Sequence, residues 1–539
     1  MRLNAFRLGV GACTASVLTF LLVQLTAWPP HEDETLALFV GRQSLGRLFH
    51  TVLNQRGGAP LHFCLAWIVA HAGGGLTELR LLSALFAAAS VPAIAALGVR
   101  LATRPVALIA TVLASGSWVL LFHGVYGRMY SLFLFTSALS YLTLLVALER
   151  GGRRRWALWV VATLLLVASH PYAALVVASQ GVYVVLARRR FHEAAWAFAA
   201  VGVLGLPMWR SDIVLAGRFD VGVGSGGQRL GSPQSVLDYL WHAAGDFTAG
   251  YESALVPLMV LAAIGVVRLT RTRPSSALLA GAVIATPTAA LLIARLGSST
   301  SPQSRHLIFV LPFFTLLVAS GLEDVGRRMP RLGPVAIAAV VAALIPAEIA
   351  WGWQKTPELY RGEPSARVVG LAEAAAWVAA VARPDDVLFG YEPVYLKAWE
   401  HARGRVSNTV VPRADAKLAL KTLLRAQKPL GHGFWVFDAS ETTNLIRRLT
   451  IPVVLPDPPS AFEARAYGPF LVIRTRQPTV TVRRYLKLSR AVELLGECIP
   501  YAGSLCIGDA GINLQTVLQA GASLDRYEEA SRYRSTVSR

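Results

Sequence analysis

Long apolar runs alternate with short polar connections along the first two thirds of the chain. A straight membrane-spanning helix needs roughly 20 consecutive apolar residues, and several of these runs approach that length. The pattern predicts a polytopic α-helical membrane protein with about eleven spans. The predicted spans lie near residues 8–28, 80–99, 105–126, 131–149, 156–170, 172–187, 194–209, 253–268, 276–295, 307–322 and 334–351.

Arginines concentrate in alternate connections between these runs. Positively charged loops stay in the cytoplasm, so these connections are predicted to lie on one side together with the N-terminus, and the C-terminus on the other. Counting residues 60–72 as a span would reverse this alternation, so that short run is predicted to be a helix in the outer interface. The clusters are Arg100 and Arg104; Arg150, Arg153, Arg154 and Arg155; Arg188, Arg189 and Arg190; Arg268, Arg271 and Arg273; and Arg327, Arg328 and Arg331.

The same count assigns the remaining connections to the outer side. They are 29–79, with amphipathic helices along the membrane, the turns at 127–130 and 170–172, the loops 210–252 and 296–306, and the tail from about Gly352. Apolar segments of strand length occur in the tail at 387–389, 434–437, 452–455 and 470–473, between helix-like stretches at 366–381 and 415–426. The chain is therefore predicted to have a membrane domain, 1–351, and an extracytoplasmic α/β domain, 352–539, with a mostly parallel sheet and a flexible C-terminal end.

Composition supports the membrane assignment and narrows the partners. The chain is 54% hydrophobic and 16% charged, with a mean hydropathy of +0.48, which excludes an ordinary soluble protein. A net charge of +20 would suggest nucleic acid in a soluble chain. Here the arginines stand between apolar runs, so the lipid bilayer is the predicted partner and nucleic acid is not. Cys498 and Cys506 could form a disulfide only outside the reducing cytoplasm.

Three consecutive acids, Glu32, Asp33 and Glu34, directly follow the first span. Their position is typical either of proton chemistry at the membrane surface or of acids in the first turn of an interfacial helix. The spacing alone leaves both interpretations open. A divalent cation could also bind here, with water in the open positions, but the sequence supplies no clear third ligand, so neither a metal site nor a cofactor is assigned.

Arginines and histidines on the predicted outer side form the second candidate group. Arg128 lies in VYGRMYSL, His170 in ASHPYAAL, and Arg305 with His306 directly before LIFVLPFF. Arginine is uncommon on the outer side of a membrane protein, so another interaction should favour it here. A phosphate group is one candidate, because a guanidinium matches its oxygens. The alternative is that these arginines extend to lipid headgroups. Both arginines, His170 and the acidic stretch on one face together favour a site in which cations hold a phosphate leaving group and a carboxylate takes a proton.

Several short motifs follow one another along the predicted membrane domain. They are Asp33-Glu34-Thr35, Ala59-Pro60-Leu61-His62, the RLLSALF segment from Arg80, the YGRMYSL segment from Tyr126, Ser169-His170-Pro171-Tyr172, and Ser304-Arg305-His306 ahead of Leu311-Pro312. The combination resembles polyprenol-phosphate-sugar-dependent glycosyltransferases of the GT-C fold, in the family 39-like group. That group includes protein O-mannosyltransferases and aminoarabinose transferases. The resemblance covers roughly residues 8–350.

The resemblance implies a role for each matched residue. Asp33 would be the general base of an inverting transfer, and Glu34 would orient it or shape the acceptor site. Arg128 and Arg305 would bind the donor phosphate. The cavity would be lined by His62, Tyr130, His170, Tyr172 and His306.

The chain departs from the family pattern at several of these positions. Gly58-Ala59 stands where relatives carry a second proline or a basic residue, and Arg56 is the candidate replacement for that phosphate contact. His62 and His306 stand where relatives carry tyrosine. These changes leave the expected reaction class in place.

The expected partners follow from the same resemblance: a polyprenyl-phosphate sugar as donor, and a glycan, lipid or protein of the cell envelope as acceptor, at the plasma membrane. One alternative is a transporter or flippase of lipid-linked saccharides. Transporters commonly show internal repeats and charges at the membrane midplane, and no clear repeat is visible in this sequence. A catalytically silent sensor or scaffold is a third interpretation.

Overall fold

The computed structural model describes residues 3–218, 230–250, 254–296, 302–329, 331–390, 392–401, 409–412, 431–438 and 462–478. Contacts divide the chain into two compact units. The first comprises Met1–Trp28 and Val40–Gly362, and the second comprises Pro29–Phe39 and Glu363–Arg539.

Helices dominate the described chain, and helical segments overlap every predicted span. In chain order the helices are α1 Leu3–Val23, α2 Glu32–Gly41, α3 Leu45–His50, the π-helix Thr51–Arg56, α4 Pro60–His71, α5 Leu76–Leu101, α6 Arg104–Gly116, α7 Trp118–Val125, α8 Tyr130–Arg150, α9 Arg153–Ser169, α10 Ala173–Ala187, α11 Phe191–Leu204, α12 Leu206–Arg218, α13 Pro233–Asp246, α14 Leu255–Thr272, α15 Pro274–Ala294, the 3₁₀-helix Ser304–Val310, α16 Leu311–Arg328, α17 Gly333–Lys355, α18 Glu358–Arg361, α19 Ser365–Val381 and α20 Glu392–His401.

The prediction of a polytopic helical membrane protein is confirmed. Within the described residues, seven helices are long and apolar enough to cross a membrane, and nine segments qualify if two bent pairs each count as one span. The bent pairs are α6 with α7, at 52°, and α11 with the first part of α12, at 61°. Helices α9 and α10 have only 17 and 15 residues. The figure of about eleven spans therefore stays a prediction.

The arginine-rich connections meet at one end of the helices. Contacts join Arg100 to Glu149, Arg190 to the carbonyl of Leu148, Arg273 to the carbonyl of Arg100, and both Arg268 and Arg327 to Glu323. All five arginine clusters of the sequence are next to at least one of these contacts. The clusters lie together at one end, as predicted from their position in alternate connections. The side of the membrane that this end faces stays a prediction.

Close backbone contact holds two of the spans together. A Cβ added at Gly321 of α16 would meet the carbonyl of Leu261 in α14, and one added at Gly265 of α14 would meet the carbonyl of Leu317. Glycines at a helix crossing let the two backbones approach, which favours packing in a membrane. The 3₁₀-helix continues directly into α16, so this crossing also anchors the segment that carries Arg305 and His306.

The loop after α2 forms short helices, as its amphipathic pattern predicts. The π-helix Thr51–Arg56 extends α3, and α4 covers the run assigned to the outer interface, although that location is untested. The Ser211 hydroxyl of α12 donates to the carbonyls of Val52, at 3.1 Å, and Gly58, at 3.0 Å. A side chain at Gly57, whose φ is 74°, would collide with the same helix. These contacts fix the backbone that carries Arg56.

A five-stranded sheet forms the centre of the second unit. Its strands are β1 Val387–Gly390, β2 Thr409–Pro412, β3 Phe434–Asp438, β4 Phe462–Tyr467 and β5 Phe470–Thr475, in the order β2-β1-β3-β5-β4. The predicted strands at 387–389, 434–437 and 470–473 are present, and α19 covers the predicted helix at 366–381. The predicted strand 452–455 and helix 415–426 lie outside the described residues.

The sheet is mixed, which differs from the mostly parallel arrangement expected from the sequence. Strand β1 pairs in parallel with β2 and β3, whereas β5 is antiparallel to both β3 and β4. The difference arises at a tight turn between β4 and β5, where Gly468 has a φ of 54° and joins them as a hairpin. Strand β4 itself was not predicted, because Glu463 and Arg465 make its sequence look like a polar connection.

Candidate functional site

Three separate connections of the first unit bring arginine, histidine and tyrosine side chains together. The Tyr130 ring lies 5.6 Å from His170 and 5.8 Å from His306, measured between ring centroids. His306 also stacks on Tyr172 at 4.9 Å with an interplanar angle of 14°. The Arg305 guanidinium lies 4.9 Å from the Tyr130 ring. We call Arg128, Tyr130, His170, Tyr172, Arg305 and His306 the basic–aromatic cluster.

Backbone hydrogen bonds set the tautomers of two of its histidines. The Nδ1 atom of His170 accepts the N–H of Tyr172 at 3.0 Å, and that of His306 accepts the N–H of Gln303 at 3.0 Å. An Nδ1 that accepts leaves the proton of a neutral imidazole on Nε2, so both rings are donors through Nε2. The buried Nε2 of His170 has no hydrogen-bond partner among the described residues. It is a donor available to a ligand oxygen.

Stacked tyrosines hold the Arg305 guanidinium. It lies 5.9 Å from the ring of Tyr126 as well as 4.9 Å from that of Tyr130, and the two tyrosine rings are stacked with an angle of 7°. Such cation–π contacts are worth about 0.5–2 kcal/mol each, depending on exposure. The turn between α7 and α8 is itself fixed, because the Ser83 hydroxyl donates to the carbonyl of Arg128 at 3.2 Å.

Arg56 extends the positive region, and His62 lies beside it. Arg56 is buried and lies 5.0 Å from the Phe63 ring. Burial, followed by the positive charges of Arg128 and Arg56, lowers the pKa of His62 to about 3. His62 is therefore neutral at physiological pH. Arg128 acts electrostatically on both His62 and His170, so it connects this pair to the basic–aromatic cluster.

The two acidic candidates, Asp33 and Glu34, belong to the second unit. The Glu34 carboxylate accepts the N–H of His31 at 3.2 Å, and the carbonyl of His31 accepts the N–H of Glu34 at 3.0 Å. Glu34 is fully buried, whereas Asp33 is half-buried. The capping interpretation thus applies to Glu34, which fixes the start of α2. The Phe39 and Trp399 rings, 4.7 Å apart, hold this helix within its unit.

A cavity of about 290 Å³ lies next to the basic–aromatic cluster. We call it the α13 cavity, because Tyr239 and Asp246 of α13 line it together with Trp118, Phe122, His123 and Arg305. Of these six residues, sequence reasoning identified only Arg305. The available signal was the amphipathic stretch of α13 in the 210–252 loop, which begins with a Ser232 cap and Pro233.

Among the described residues, no group of three or more histidine, cysteine, aspartate or glutamate side chains is placed to hold a metal ion.

Comparison with known proteins identifies solved structures of the same fold. ArnT from Cupriavidus metallidurans in the apo state matches with a TM-score of 0.51 and 15% identity, over 86% of this chain and 97% of that chain. The same protein bound to undecaprenyl phosphate matches with a TM-score of 0.52 and 13% identity over the same shares. The Archaeoglobus fulgidus oligosaccharyltransferase, in complex with zinc and sulfate, matches with a TM-score of 0.50 and 14% identity over 80% of this chain and 68% of that chain.

No family sequence profile and no curated protein matches the chain. The two structural neighbours are both glycosyltransferases of the GT-C fold. The chain therefore has a GT-C-like fold, which confirms the fold expected from the sequence motifs.

Proposed function

We propose that the protein is a membrane glycosyltransferase that moves one sugar from a polyprenyl-phosphate donor to an acceptor outside the cytoplasm, with inversion at the anomeric carbon. The main support for this proposal is the basic–aromatic cluster within a GT-C-like fold. Arg305 and His170 both lie beside the Tyr130 ring, and Arg128 acts electrostatically on His170. The structural neighbour ArnT binds undecaprenyl phosphate, which supports a lipid phosphate as the ligand.

The cluster offers the groups that a phosphate leaving group requires. Guanidinium groups of Arg128 and Arg305 would neutralise the phosphate, and Nε2–H of His170 would donate to one of its oxygens. Negative charge on the phosphate grows as the bond from its oxygen to the anomeric carbon breaks. Fixed positive groups stabilise that transition state more than the ground state, because the charge develops in place. Arg56 is a third candidate, through its position beside His62.

The acceptor hydroxyl would attack the anomeric carbon from the face opposite the phosphate. Its proton would pass to the Asp33 carboxylate, and polyprenyl phosphate would leave, so atoms and charge balance. Asp33 is the preferred base because it is half-buried, whereas the buried Glu34 carboxylate caps α2. Glu34 is thus assigned to position the helix that carries the base. A single displacement of this kind inverts the sugar configuration.

The assay for this proposal uses the purified full-length protein in detergent. A panel of polyprenyl-phosphate sugars is incubated with a cell-envelope extract as acceptor, and release of polyprenyl phosphate is measured. We expect release from at least one donor and its loss in Asp33→Asn at unchanged thermal stability. Glu32→Gln, the same change at the preceding residue, is the matched control and should retain activity.

Each result has a distinct meaning. Unimpaired turnover in Asp33→Asn would refute the base assignment, and no release from any donor would refute the transfer reaction. Movement of the lipid-linked sugar across proteoliposomes without release would favour a transporter.

We further propose that the arginine-rich end faces the cytoplasm and that the second unit lies outside it, in the plasma membrane. The charge bias of the connections supports this orientation. Arg327→Cys and Arg465→Cys introduce thiols at exposed positions of the two units. A membrane-impermeant maleimide on intact cells should label the cysteine at 465 and not that at 327. The reverse result would overturn the orientation, and the wild-type protein measures background labelling of its four native cysteines, Cys13, Cys64, Cys498 and Cys506.

A further inference from the structure

The α13 cavity has a flat aromatic wall that is held rigidly. The backbone N–H of Trp118 donates to the Glu348 carboxylate at 3.1 Å, and its indole N–H donates to the Thr356 hydroxyl at 3.0 Å. The Trp118 ring stacks on Phe122 with centroids 5.6 Å apart and an angle of 6°. Because both polar groups of Trp118 are already bonded, its contribution to the cavity is an apolar face. The C–H face of a sugar ring packs on such a surface.

The same cavity presents polar groups that lack partners. The Tyr239 hydroxyl and Nδ1 of His123 are buried and have no hydrogen-bond partner among the described residues. A buried polar group left unsatisfied is destabilising, so such groups indicate a ligand that supplies the missing bonds. Burial, and then the negative charge of Asp246, raise the pKa of Tyr239. Its hydroxyl therefore keeps its proton and can donate to a ligand oxygen.

The charges on the wall discriminate between kinds of ligand. The carboxylate of Asp246 lies 3.5 Å from the ammonium of Lys355, which in turn lies 4.6 Å from the Trp351 ring. Arg305 adds a positive charge to the same wall. Among the described lining residues, the charge of Asp246 is therefore already balanced by Lys355, and Arg305 is positive. This combination disfavours an ammonium group on the ligand.

We propose that the α13 cavity is the sugar subsite of the donor and that it takes one neutral, hydroxylated ring in preference to an amino sugar. This inference rests on the proposed function, because Arg305 belongs both to the phosphate-binding cluster and to the cavity wall. The volume of about 290 Å³ is just below the range of roughly 300–1,000 Å³ for small-molecule sites, which suits a single ring.

Binding measurements test this subsite independently of catalysis. A fluorescent polyprenyl phosphate bound to the full-length protein is displaced by three lipids: sugar-free polyprenyl phosphate, polyprenyl-phosphate hexose and its amino-sugar counterpart. We expect the hexose lipid to bind at least tenfold more tightly than the amino-sugar lipid. Tyr239→Phe should weaken the hexose lipid about tenfold, which is the loss of about 1.4 kcal/mol, and leave the sugar-free lipid unchanged.

Tyr183→Phe is the matched control, because Tyr183 is a buried tyrosine of α10 that does not line the cavity. Phe122→Leu, which reduces the aromatic wall, is a second test and should also weaken only the sugar-bearing lipids. Equal affinity for hexose and amino-sugar lipids, or an effect of Tyr239→Phe on the sugar-free lipid alone, would overturn the subsite. If sugar-dependent binding is present but no donor is turned over, the subsite stands and the transfer reaction fails.

Discussion

Replacing Arg305 with lysine tests how the proposed phosphate site works. The substitution keeps the positive charge and removes the planar fork that can bind two phosphate oxygens at once. It also weakens the contacts to the Tyr130 and Tyr126 rings, which lie 4.9 Å and 5.9 Å from the guanidinium. The comparison therefore asks whether geometry matters beyond charge.

The size of the effect follows from the lost contacts. One hydrogen bond between charged groups is worth about 1.5–3 kcal/mol. Since about 1.4 kcal/mol corresponds to a tenfold change, kcat/KM should fall roughly 10- to 150-fold. The energy of the cation–π contact is not added to this estimate. Its loss displaces the side chain, so it is not independent of the lost hydrogen bond.

The assay is release of polyprenyl phosphate from the best donor of the panel. Arg327→Lys is the matched control, because the Arg327 side chain is 65% exposed in its ion pair with Glu323 and the substitution keeps the positive charge. Such pairs contribute about 0–1 kcal/mol to stability, and activity should not change. Phosphate binding by the Arg305 guanidinium is excluded if Arg305→Lys keeps more than half of the wild-type kcat/KM, or if both variants lose activity equally.

Three further predictions concern stability in detergent. Gly321→Ala places a methyl group against the carbonyl of Leu261 and should cost about 1–3 kcal/mol, seen as a lower unfolding midpoint. Glu323→Gln removes the buried carboxylate that pairs with Arg268 and should cost about 3–5 kcal/mol, in the same measurement. His62 has a lowered pKa, so stability is lost as pH falls below about 6.5, where the unfolded chain binds a proton and the folded chain does not. That loss amounts to about 2 kcal/mol at pH 5, and His62→Gln should remove it.

Each of these variants has a control with the same chemical change. Gly281→Ala adds a methyl group that meets nothing within 4 Å, and it should leave the midpoint unchanged or raise it. Asp324→Asn disrupts an ion pair with Arg328 that is largely exposed, so its effect should stay within about 1 kcal/mol. His71→Gln alters an exposed histidine of the same helix and should preserve the pH dependence. If a variant and its control change the unfolding midpoint, or the pH dependence of stability, to the same extent, the physical explanation given for that variant is wrong.

The hydrophobic pattern predicted the membrane helices well because bilayer thickness acts directly on sequence. Each predicted apolar run is helical, and the charge bias correctly grouped Arg100, Arg190 and Arg268 at one end. Bends were not predicted, since the break between α6 and α7 depends on a distant partner. The N–H of Trp118 at the break donates to Glu348, 230 residues later.

The candidate site was predictable only in part. Arg128, His170 and Arg305 were predicted as site residues because charged and polar groups at the outer ends of spans are unusual. In the structure, both arginines act electrostatically on His170. Tyr239 and Asp246 gave no comparable signal, because aromatic and acidic residues are ordinary in a connecting loop. Their place beside Arg305 depends on tertiary packing.

The capping contact of Glu34 also required the structure, whereas the expectation of Asp33 as the base came from the family resemblance. Both are acids in the first turn of a helix, and their spacing fits either capping or catalysis. Only the hydrogen bond from the N–H of His31 assigns the cap to Glu34. A hydrogen-bond direction of this kind is a matter of side-chain geometry, which residue types alone do not determine.

The basic–aromatic cluster is proposed to bind the phosphate of a polyprenyl donor. Its most direct test is an experimental density map of the full-length protein with polyprenyl phosphate bound. We expect phosphate density within hydrogen-bonding distance of both Arg128 and Arg305. Phosphate density located away from both arginines would contradict it.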